Sequence, residues 1–237
     1  MKRFKDKVAI ITGGTGGLGK AVMTEFLTQG AYVFSTYIDD DELKGCTDIL
    51  RDYKSMLALG KADVTKVSHV SNVIAKTIEK FSRIDILVNI VGGFTQSPFA
   101  DTDEETWDRM MNMNLKSAFL CSRGVIPHMT GQGRGSIVNI ASRPALKGSP
   151  NLSAYGASKA GVLNLTQSMA EELKGRDINV NAIIPGTMDT PGNRRVMPDA
   201  DFTKWVAVED VAKVIAFLCS EDARSVTGAA VPVYGKS

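Results

Sequence analysis

Short apolar runs alternate with segments of helical period over the whole 237 residues, and this alternation constrains the fold more than any other feature. After the first run, residues 8–12, Leu18, Val22 and Phe26 recur every four residues and predict a helix with one apolar stripe. Repeated strand and helix segments are typical of βαβ units, whose parallel strands are covered on both faces. Six further runs predict strands at residues 32–37, 56–59, 84–90, 136–141, 179–184 and 230–233.

Composition places the chain among ordinary globular proteins. Lys and Arg number 28 against 26 Asp and Glu, 43% of residues are apolar and 23% are charged. At roughly 100 to 200 residues per domain, we expect residues 1–237 to form one domain. The predicted fold class is α/β, a single-domain, Rossmann-like, doubly wound parallel sheet of about seven strands with helices on both faces.

The same figures exclude several partners. A net charge of +2 argues against a nucleic-acid partner, because such proteins usually carry a basic excess. No run approaches the roughly 20 apolar residues that span a bilayer, and the polar first residues do not resemble a signal peptide. Three widely spaced cysteines and two isolated histidines fit neither a disulfide framework nor a metal site. We therefore expect a cytoplasmic protein that binds no membrane, no nucleic acid and no metal.

A glycine-rich turn follows the first predicted strand and leads directly into the first predicted helix. Glycines let the main chain approach a pyrophosphate closely, and the start of a helix offers free N–H groups and a partial positive charge. An acid that meets the adenosine ribose commonly follows about 20 residues later. Here Tyr37 stands at the tip of the second strand with Asp39 behind it, and neither the tip nor the turn carries Arg or Lys. NAD or NADP is therefore the expected cofactor, with NAD slightly favoured.

Tyr155 and Lys159 lie four residues apart on a predicted helix and so share one face. Ser142 ends the preceding strand. Hydride transfer to a carbonyl needs a group that exchanges a proton with the substrate oxygen. A phenol has a pKa near 10, and a nearby ammonium would lower the cost of ionising it. A serine hydroxyl can hold the carbonyl in line, so these residues predict an oxidoreductase site.

Taken together, the motifs resemble those of the short-chain dehydrogenase/reductase family, in its compact form, over essentially the whole chain. The motifs that carry the resemblance are Thr12-Gly13-x-x-x-Gly17-Leu18-Gly19, Asp63-Val64, Leu87-Val88-Asn89-x-x-Gly92, Asn114-Leu115, Ile140-x-Ser142, Tyr155-x-x-x-Lys159 and Pro185-Gly186 with Thr190. The chain departs from the usual Asn-Asn-Ala-Gly, which reads Asn89-Ile90-Val91-Gly92.

The resemblance implies a role for each matching residue. Tyr155 would be the acid and base, Ser142 would position the carbonyl, Lys159 would hold the nicotinamide ribose, and Asn114 would help to anchor a water leading to the lysine. The residues expected to contact the coenzyme are Gly13, Thr15, Gly17, Leu18, Gly19, Tyr37, Asp39, Asp63, Val64, Asn89, Gly92, Lys159, Pro185, Gly186, Thr187 and Thr190.

The substrate is expected to lie under a loop around residues 186–207, which is rich in Pro, Gly and mixed charges and follows a strand end. A small carbonyl or alcohol compound is the leading interpretation. A 3-oxoacyl thioester is an alternative, for which Arg143, Lys147, Arg194 and Arg195 would supply basic residues at the cleft mouth. The stretch 189–205 also resembles the corresponding part of dihydropteridine reductases, although those enzymes lack the serine.

Two further expectations concern assembly and activity. Family members usually form dimers or tetramers through two long helices, here around residues 107–129 and 153–173, so we expect a homodimer or homotetramer. A non-catalytic dinucleotide sensor is the rival reading from another class. It would lose Tyr155 or Lys159, and both are present.

Overall fold

The structure is a computed structural model that describes residues 2–236. Within those residues seven strands form one sheet, and every neighbouring pair is parallel. The strands are β1 Val8–Ile11, β2 Tyr32–Tyr37, β3 Leu57–Lys61, β4 Ile86–Asn89, β5 Gly135–Ile140, β6 Ile178–Pro185 and β7 Ala230–Val233. Their order across the sheet is β3-β2-β1-β4-β5-β6-β7. The predicted α/β class and all seven predicted strands are confirmed.

The helices cover both faces of this sheet. They are α1 Gly17–Thr28, α2 Asp40–Leu43, α3 Thr47–Asp52, α4 Val67–Phe81, α5 Glu104–Met110, α6 Ser117–Gln132, α7 Ser153–Leu173, α8 Pro191–Val196 and α9 Val208–Leu218. A π-helical segment, Met111–Lys116, joins α5 to α6. Across residues 2–236, every helix is too short or too polar to pass through a lipid bilayer.

Two apolar clusters hold the helices to the sheet. Helices α1 and α9 contribute to one cluster, and α4, α6 and α7 contribute to the other. The residues of β1 and β4 are all buried, as expected for central strands covered on both sides. The strand order reverses between β1 and β4, which is where open α/β sheets bind their ligands.

Some predicted boundaries were wrong, for identifiable reasons. The third strand extends to Lys61, because Gly60 and Lys61 pair with Thr36 and Tyr37 of β2 although their composition is typical of a loop. The first strand ends at Ile11, and the Thr12 hydroxyl instead accepts hydrogen bonds from the N–H groups of Ile90 and Val91.

The segment predicted as a loose loop contains a short helix. The Thr190 hydroxyl accepts a hydrogen bond of 3.1 Å from the Asn193 N–H, and Pro191 occupies the first helical position of α8. Proline at this position has a backbone angle suited to a helix and lacks an N–H group that would be left unpaired. Prolines here therefore start a helix rather than prevent one.

Candidate active site

In the glycine-rich turn between β1 and α1, the backbone at Gly19 lies very close to the backbone at Gly13. Gly13 has a φ of +69°, and its N–H donates to the Thr36 hydroxyl at 3.0 Å. A Cβ atom on Gly19 would lie 2.1 Å from the Gly13 carbonyl oxygen, which is far inside contact distance. Helix α1 begins directly after Gly16, whose position has no side-chain cap. The first N–H groups of α1 are therefore available to an anion.

A cavity of about 320 Å³ opens above this turn. The predicted coenzyme residues that line it are Gly13, Thr15, Gly17, Leu18, Gly19, Tyr37, Asp63, Val64 and Gly92. Its lining also includes residues that were not among the expected coenzyme contacts, which are Gly16, Thr36, Ile38, Glu42, Ala62, Thr65, Ile90, Val91 and Met113. The lining combines apolar walls with a few polar groups, as small-molecule sites do.

Glu42 replaces Asp39 as the acid at this cavity. The carboxylate of Asp39 caps α2 by accepting the Asp41 N–H at 2.9 Å, and Asp39 does not line the cavity. Helix α2 instead turns Glu42 back toward the glycine turn, where its carboxylate accepts a hydrogen bond from the Thr15 hydroxyl. The run of acidic residues after β2 indicated that a carboxylate would lie near the cavity. The geometry of α2 determines that this carboxylate is the one of Glu42.

The predicted residues after β6 lie beside the turn rather than in the cavity lining. The methyl group of Thr190 is the nearest neighbour of Gly17, so that a Cβ there would lie 2.9 Å from it. The Gly186 N–H donates to Val233 at 2.8 Å, and the Thr187 carbonyl accepts the Val206 N–H at 2.9 Å. Pro185 ends β6. The contact between Thr190 and Gly17 brings the predicted substrate loop against the glycine turn.

Asn89 is buried at the end of β4 beneath this region. Its amide nitrogen donates to Asn139 Oδ1 at 2.8 Å and to Ser122 Oγ at 3.1 Å. Its Oδ1 atom is buried without a hydrogen-bond partner among the described residues. The structure therefore makes Asn89 a link between β4, β5 and α6, one layer below the cavity lining.

Ser142 and Tyr155 are brought together as the spacing predicted. Ser142 follows β5, Tyr155 lies in the first turn of α7, and the Ser142 side chain is a hydrogen-bonding partner of the phenol. Burial raises the pKa of Tyr155 above its ordinary value, and the hydrogen bond from Ser142 opposes that increase. The Phe94 ring meets the Tyr155 ring edge to face, with centroids 5.0 Å apart.

Lys159 is buried one turn further along α7. Its ammonium donates a hydrogen bond of 2.8 Å to the Ile140 carbonyl oxygen at the end of β5. Burial lowers its pKa from 10.5 to about 8. In the coenzyme-free protein, burial is the largest influence on the Tyr155 pKa and raises it. The hydrogen bond to Ile140 directs the ammonium at the strand end.

Asn114 lies on the π-helical segment, and its side chain, like that of Lys159, lies close to Gly92. Its Oδ1 accepts the Gly93 N–H at 2.8 Å, and its amide nitrogen donates to Ser158 Oγ at 2.9 Å. A Cβ atom on Gly92 would lie 2.7 Å from Asn114 Oδ1 and 3.1 Å from Lys159 Nζ. Gly92 also lines the cavity, so the asparagine and the lysine meet the cavity there. Local π-helical turns often occur at functional sites.

These features fit a dinucleotide. The glycine turn and the uncapped start of α1 suit a pyrophosphate, and the cavity extends along β2 and β3 on one side and to Gly92 on the other. Gly92 lines the cavity, and because it has no Cβ atom its backbone can lie close to the buried Asn114 and Lys159 side chains. Within residues 2–236, the His, Cys, Asp and Glu side chains form no cluster of three that could hold a metal.

Comparisons with known proteins agree with this geometry. A family model described as short chain dehydrogenase matches residues 7–201. A 3-oxoacyl-[acyl-carrier-protein] reductase of Thermotoga maritima is 35% identical, with 98% of each chain covered. A D-beta-hydroxybutyrate dehydrogenase of Rhizobium meliloti is also 35% identical, over 97% of each chain. The crystal structure of levodione reductase has a TM-score of 0.91 at 30% identity over 98% of each chain. ElxO with NADP bound has a TM-score of 0.90 at 30% identity over 97% of each chain.

Proposed function

Because the chain belongs to the short-chain dehydrogenase/reductase family, we propose that it exchanges a hydride and a proton with a carbonyl or alcohol substrate at Ser142, Tyr155 and Lys159. It is an oxidoreductase that acts on CH–OH groups, and an NAD(P) coenzyme is typical of its family. The observation that carries the proposal is the Ser142 side chain bonded to the Tyr155 phenol, with a buried ammonium one helical turn away.

Tyr155 supplies or removes the proton at the substrate oxygen. Because burial raises its pKa, the phenol remains protonated at neutral pH and is suited to donate a proton as a carbonyl is reduced. Ser142 donates a second hydrogen bond to the same oxygen and fixes its position. A bound nicotinamide supplies or accepts the hydride.

Lys159 and Asn114 support this step from the floor of the cavity. The ammonium, held by the Ile140 carbonyl, faces Gly92 and would hold the nicotinamide ribose there. With a pKa of about 8, the lysine can also exchange a proton near neutral pH. Asn114 fixes the loop at Gly93 and helps to anchor a water that leads to the lysine.

We propose NAD rather than NADP as the preferred coenzyme. Glu42 and Asp63 line the cavity, and the described residues of the lining include no Arg or Lys. A 2′-phosphate at this end would meet carboxylates instead of a cation, whereas a free ribose hydroxyl could donate to one of them. The structural relative ElxO carries NADP, so relatives at this distance do not decide the choice.

The proposed substrate is a small carbonyl or alcohol compound, and a 3-oxoacyl thioester is a second candidate. Arg143 follows Ser142 directly and stacks on the Tyr234 ring at 3.9 Å, so a cation next to the catalytic serine would be available to a thioester substrate. The Thermotoga maritima relative is named for a thioester substrate. Arg194, in contrast, is occupied by a bidentate ion pair with Asp189. A dihydropteridine substrate is disfavoured because Ser142 is present and bonded to the phenol.

A fluorescence titration with NADH and NADPH tests the proposal first. We expect NADH to bind and NADPH to bind more weakly. Whichever nucleotide binds is then used in turnover with a ketone, a 3-oxoacyl thioester and a quinonoid pterin, with the ketone or the thioester as the expected substrate. Failure of both nucleotides to bind at millimolar concentration would contradict the proposal.

We also propose that the protein is a cytoplasmic homo-oligomer. Trp107 on α5 and Phe119 on α6 are large apolar side chains that remain exposed in the single chain. The three thiols, Cys46, Cys121 and Cys219, are unpaired, as is usual in a reducing compartment. Sedimentation at micromolar concentration would separate a dimer or tetramer from a monomer.

A further inference from the structure

A second cavity, of about 240 Å³, lies at the amino ends of the central strands. Lys7 precedes β1, Asp85 precedes β4, Gly135 opens β5 and Asp177 precedes β6, and all four residues line it. In a parallel sheet the amino ends share one edge and the carboxyl ends share the other. At about 3.3 Å per residue, even the four-residue strands separate this cavity from the coenzyme cavity by about 13 Å. Nothing in the reaction described above uses it.

Four basic residues from three parts of the chain line this cavity. They are Arg3 and Lys7 near the start, Arg134 before β5, and Arg224 after α9. Lys7 lies 3.8 Å from Asp85 and from Glu221, and Arg134 lies 3.9 Å from the same two carboxylates. These separations exceed hydrogen-bond distance. Arg224 forms no ion pair with any residue in the described range 2–236.

The buried acid at this cavity is already satisfied without the cavity's cations. Arg83 holds the Asp85 carboxylate with two hydrogen bonds of 2.7 and 2.6 Å, and the Val8 N–H donates to it at 2.9 Å. Such bidentate pairs are the strong ones. Within residues 2–236, Glu221 is then the one further carboxylate within 4 Å of both Lys7 and Arg134, and its side chain is 74% exposed.

The Lys7 ammonium lacks a hydrogen-bond acceptor that an anion in the cavity could supply. Its side chain is only 19% exposed, and no described residue accepts a hydrogen bond from its ammonium. Burial lowers its pKa, and the nearby Asp85 opposes that decrease. A partly buried ammonium without hydrogen bonds is costly. An anion that accepts from it would offset this cost.

We propose that this cavity is a binding site for the phosphate group of a small molecule. Lys7, Arg134 and Arg224 donate hydrogen bonds to the phosphate oxygens, and Glu221 moves aside. A tetrahedral dianion presents several acceptor oxygens in different directions, which matches donors that arrive from separate elements, and guanidinium groups pair well with phosphate. Glu221 lies between Lys7 and Arg134 and therefore acts as an internal competitor for the site.

Calorimetric titration with inorganic phosphate tests the site, using protein saturated with NADH so that the glycine turn is occupied. Ionic strength is kept constant because salt screens such contacts. Arg134→Gln and Arg224→Gln should each weaken phosphate binding about tenfold, since each removes charged hydrogen bonds. Glu221→Gln should strengthen it severalfold. Lys54→Gln, which removes an exposed lysine outside the cavity, should leave it unchanged.

Glycerol 3-phosphate is titrated in parallel to identify the source of the phosphate. Tighter binding of this ester than of inorganic phosphate would assign the site to a phosphorylated metabolite, and weaker binding would assign it to free phosphate. Absence of binding of either compound at about 10 mM would overturn the proposal. Binding that Arg224→Gln leaves unchanged would also overturn it. That variant breaks no ion pair among residues 2–236, so a loss of folding would not confuse the result.

Discussion

Replacing Lys159 by methionine should stabilise the coenzyme-free protein while removing most of its activity. Lys159 is 5% exposed, and the pKa of its ammonium falls from 10.5 to about 8 because of burial. At about 1.4 kcal/mol per pKa unit, this difference corresponds to about 3 kcal/mol that the charged form costs the folded state at neutral pH. Methionine has a similar length and carries no charge to bury.

Part of this increase in the free energy of unfolding is offset by a lost hydrogen bond. The variant loses the hydrogen bond of 2.8 Å from the ammonium to the Ile140 carbonyl, and a hydrogen bond to a charged group contributes about 1.5 kcal/mol or more. The net increase in the free energy of unfolding at pH 7 should therefore be about 1 to 2 kcal/mol. Turnover should fall by orders of magnitude, so the site is expected to gain stability as it loses function.

The pH dependence has a defined sign. Because the folded pKa lies below the unfolded pKa, the unfolded chain binds more protons between about pH 8 and 10.5, and wild-type stability rises with pH through that window. The variant lacks this contribution, so its advantage should shrink by about 2 kcal/mol between pH 7 and pH 9.5.

Urea unfolding at these two pH values, at equal protein concentration, measures the difference. Lys174→Met is the matched control, because Lys174 is exposed and, among the described residues, its ammonium pairs with the exposed Glu171 alone. An advantage of Lys159→Met that is equal at both pH values would show instead that the lysine keeps an ordinary pKa in the folded protein.

Gly19→Ala should abolish NADH binding and lower the melting temperature, because its Cβ would lie 2.1 Å from a carbonyl of the glycine turn. Gly131→Ala has nothing within 4 Å of the new atom, and an equal loss in both variants would contradict this explanation. Glu42→Gln should bring the NADPH dissociation constant closer to that of NADH by about tenfold, and an unchanged ratio would remove Glu42 from coenzyme selection. Burial raises the pKa of Cys121 to about 12, so this thiol should resist a thiol reagent at pH 8 until urea is added. Rapid reaction of Cys121 in the native protein would show that it is accessible.

The sequence was sufficient for the sheet and for the pairing of Ser142 with Tyr155, because both depend on local patterns. Continuous apolar runs identify buried strands wherever both faces are covered. Spacing of four residues on a helix places Tyr155 and Lys159 on one face, and a strand end before that helix brings Ser142 to the same edge.

Other features depend on contacts between distant parts of the chain and could not be predicted in this way. Glu42 reaches the coenzyme cavity only because Asp39 caps α2 and turns it toward Thr15. Burial, which depends on the whole fold, raises the phenol pKa where the sequence favoured a decrease. The second cavity is lined by both Lys7 and Arg224, which are far apart in the sequence. A short sequence motif cannot indicate a cavity formed by such distant residues.

The central claim is that the Tyr155 phenol exchanges a proton with the substrate oxygen as hydride is transferred. Tyr155→Phe removes the hydroxyl and keeps the ring that packs against Phe94. Single-turnover measurement of hydride transfer, with NADH affinity determined on the same sample, tests this most directly. The rate should fall by orders of magnitude while NADH affinity stays within about twofold. Transfer at the wild-type rate in Tyr155→Phe would contradict this claim.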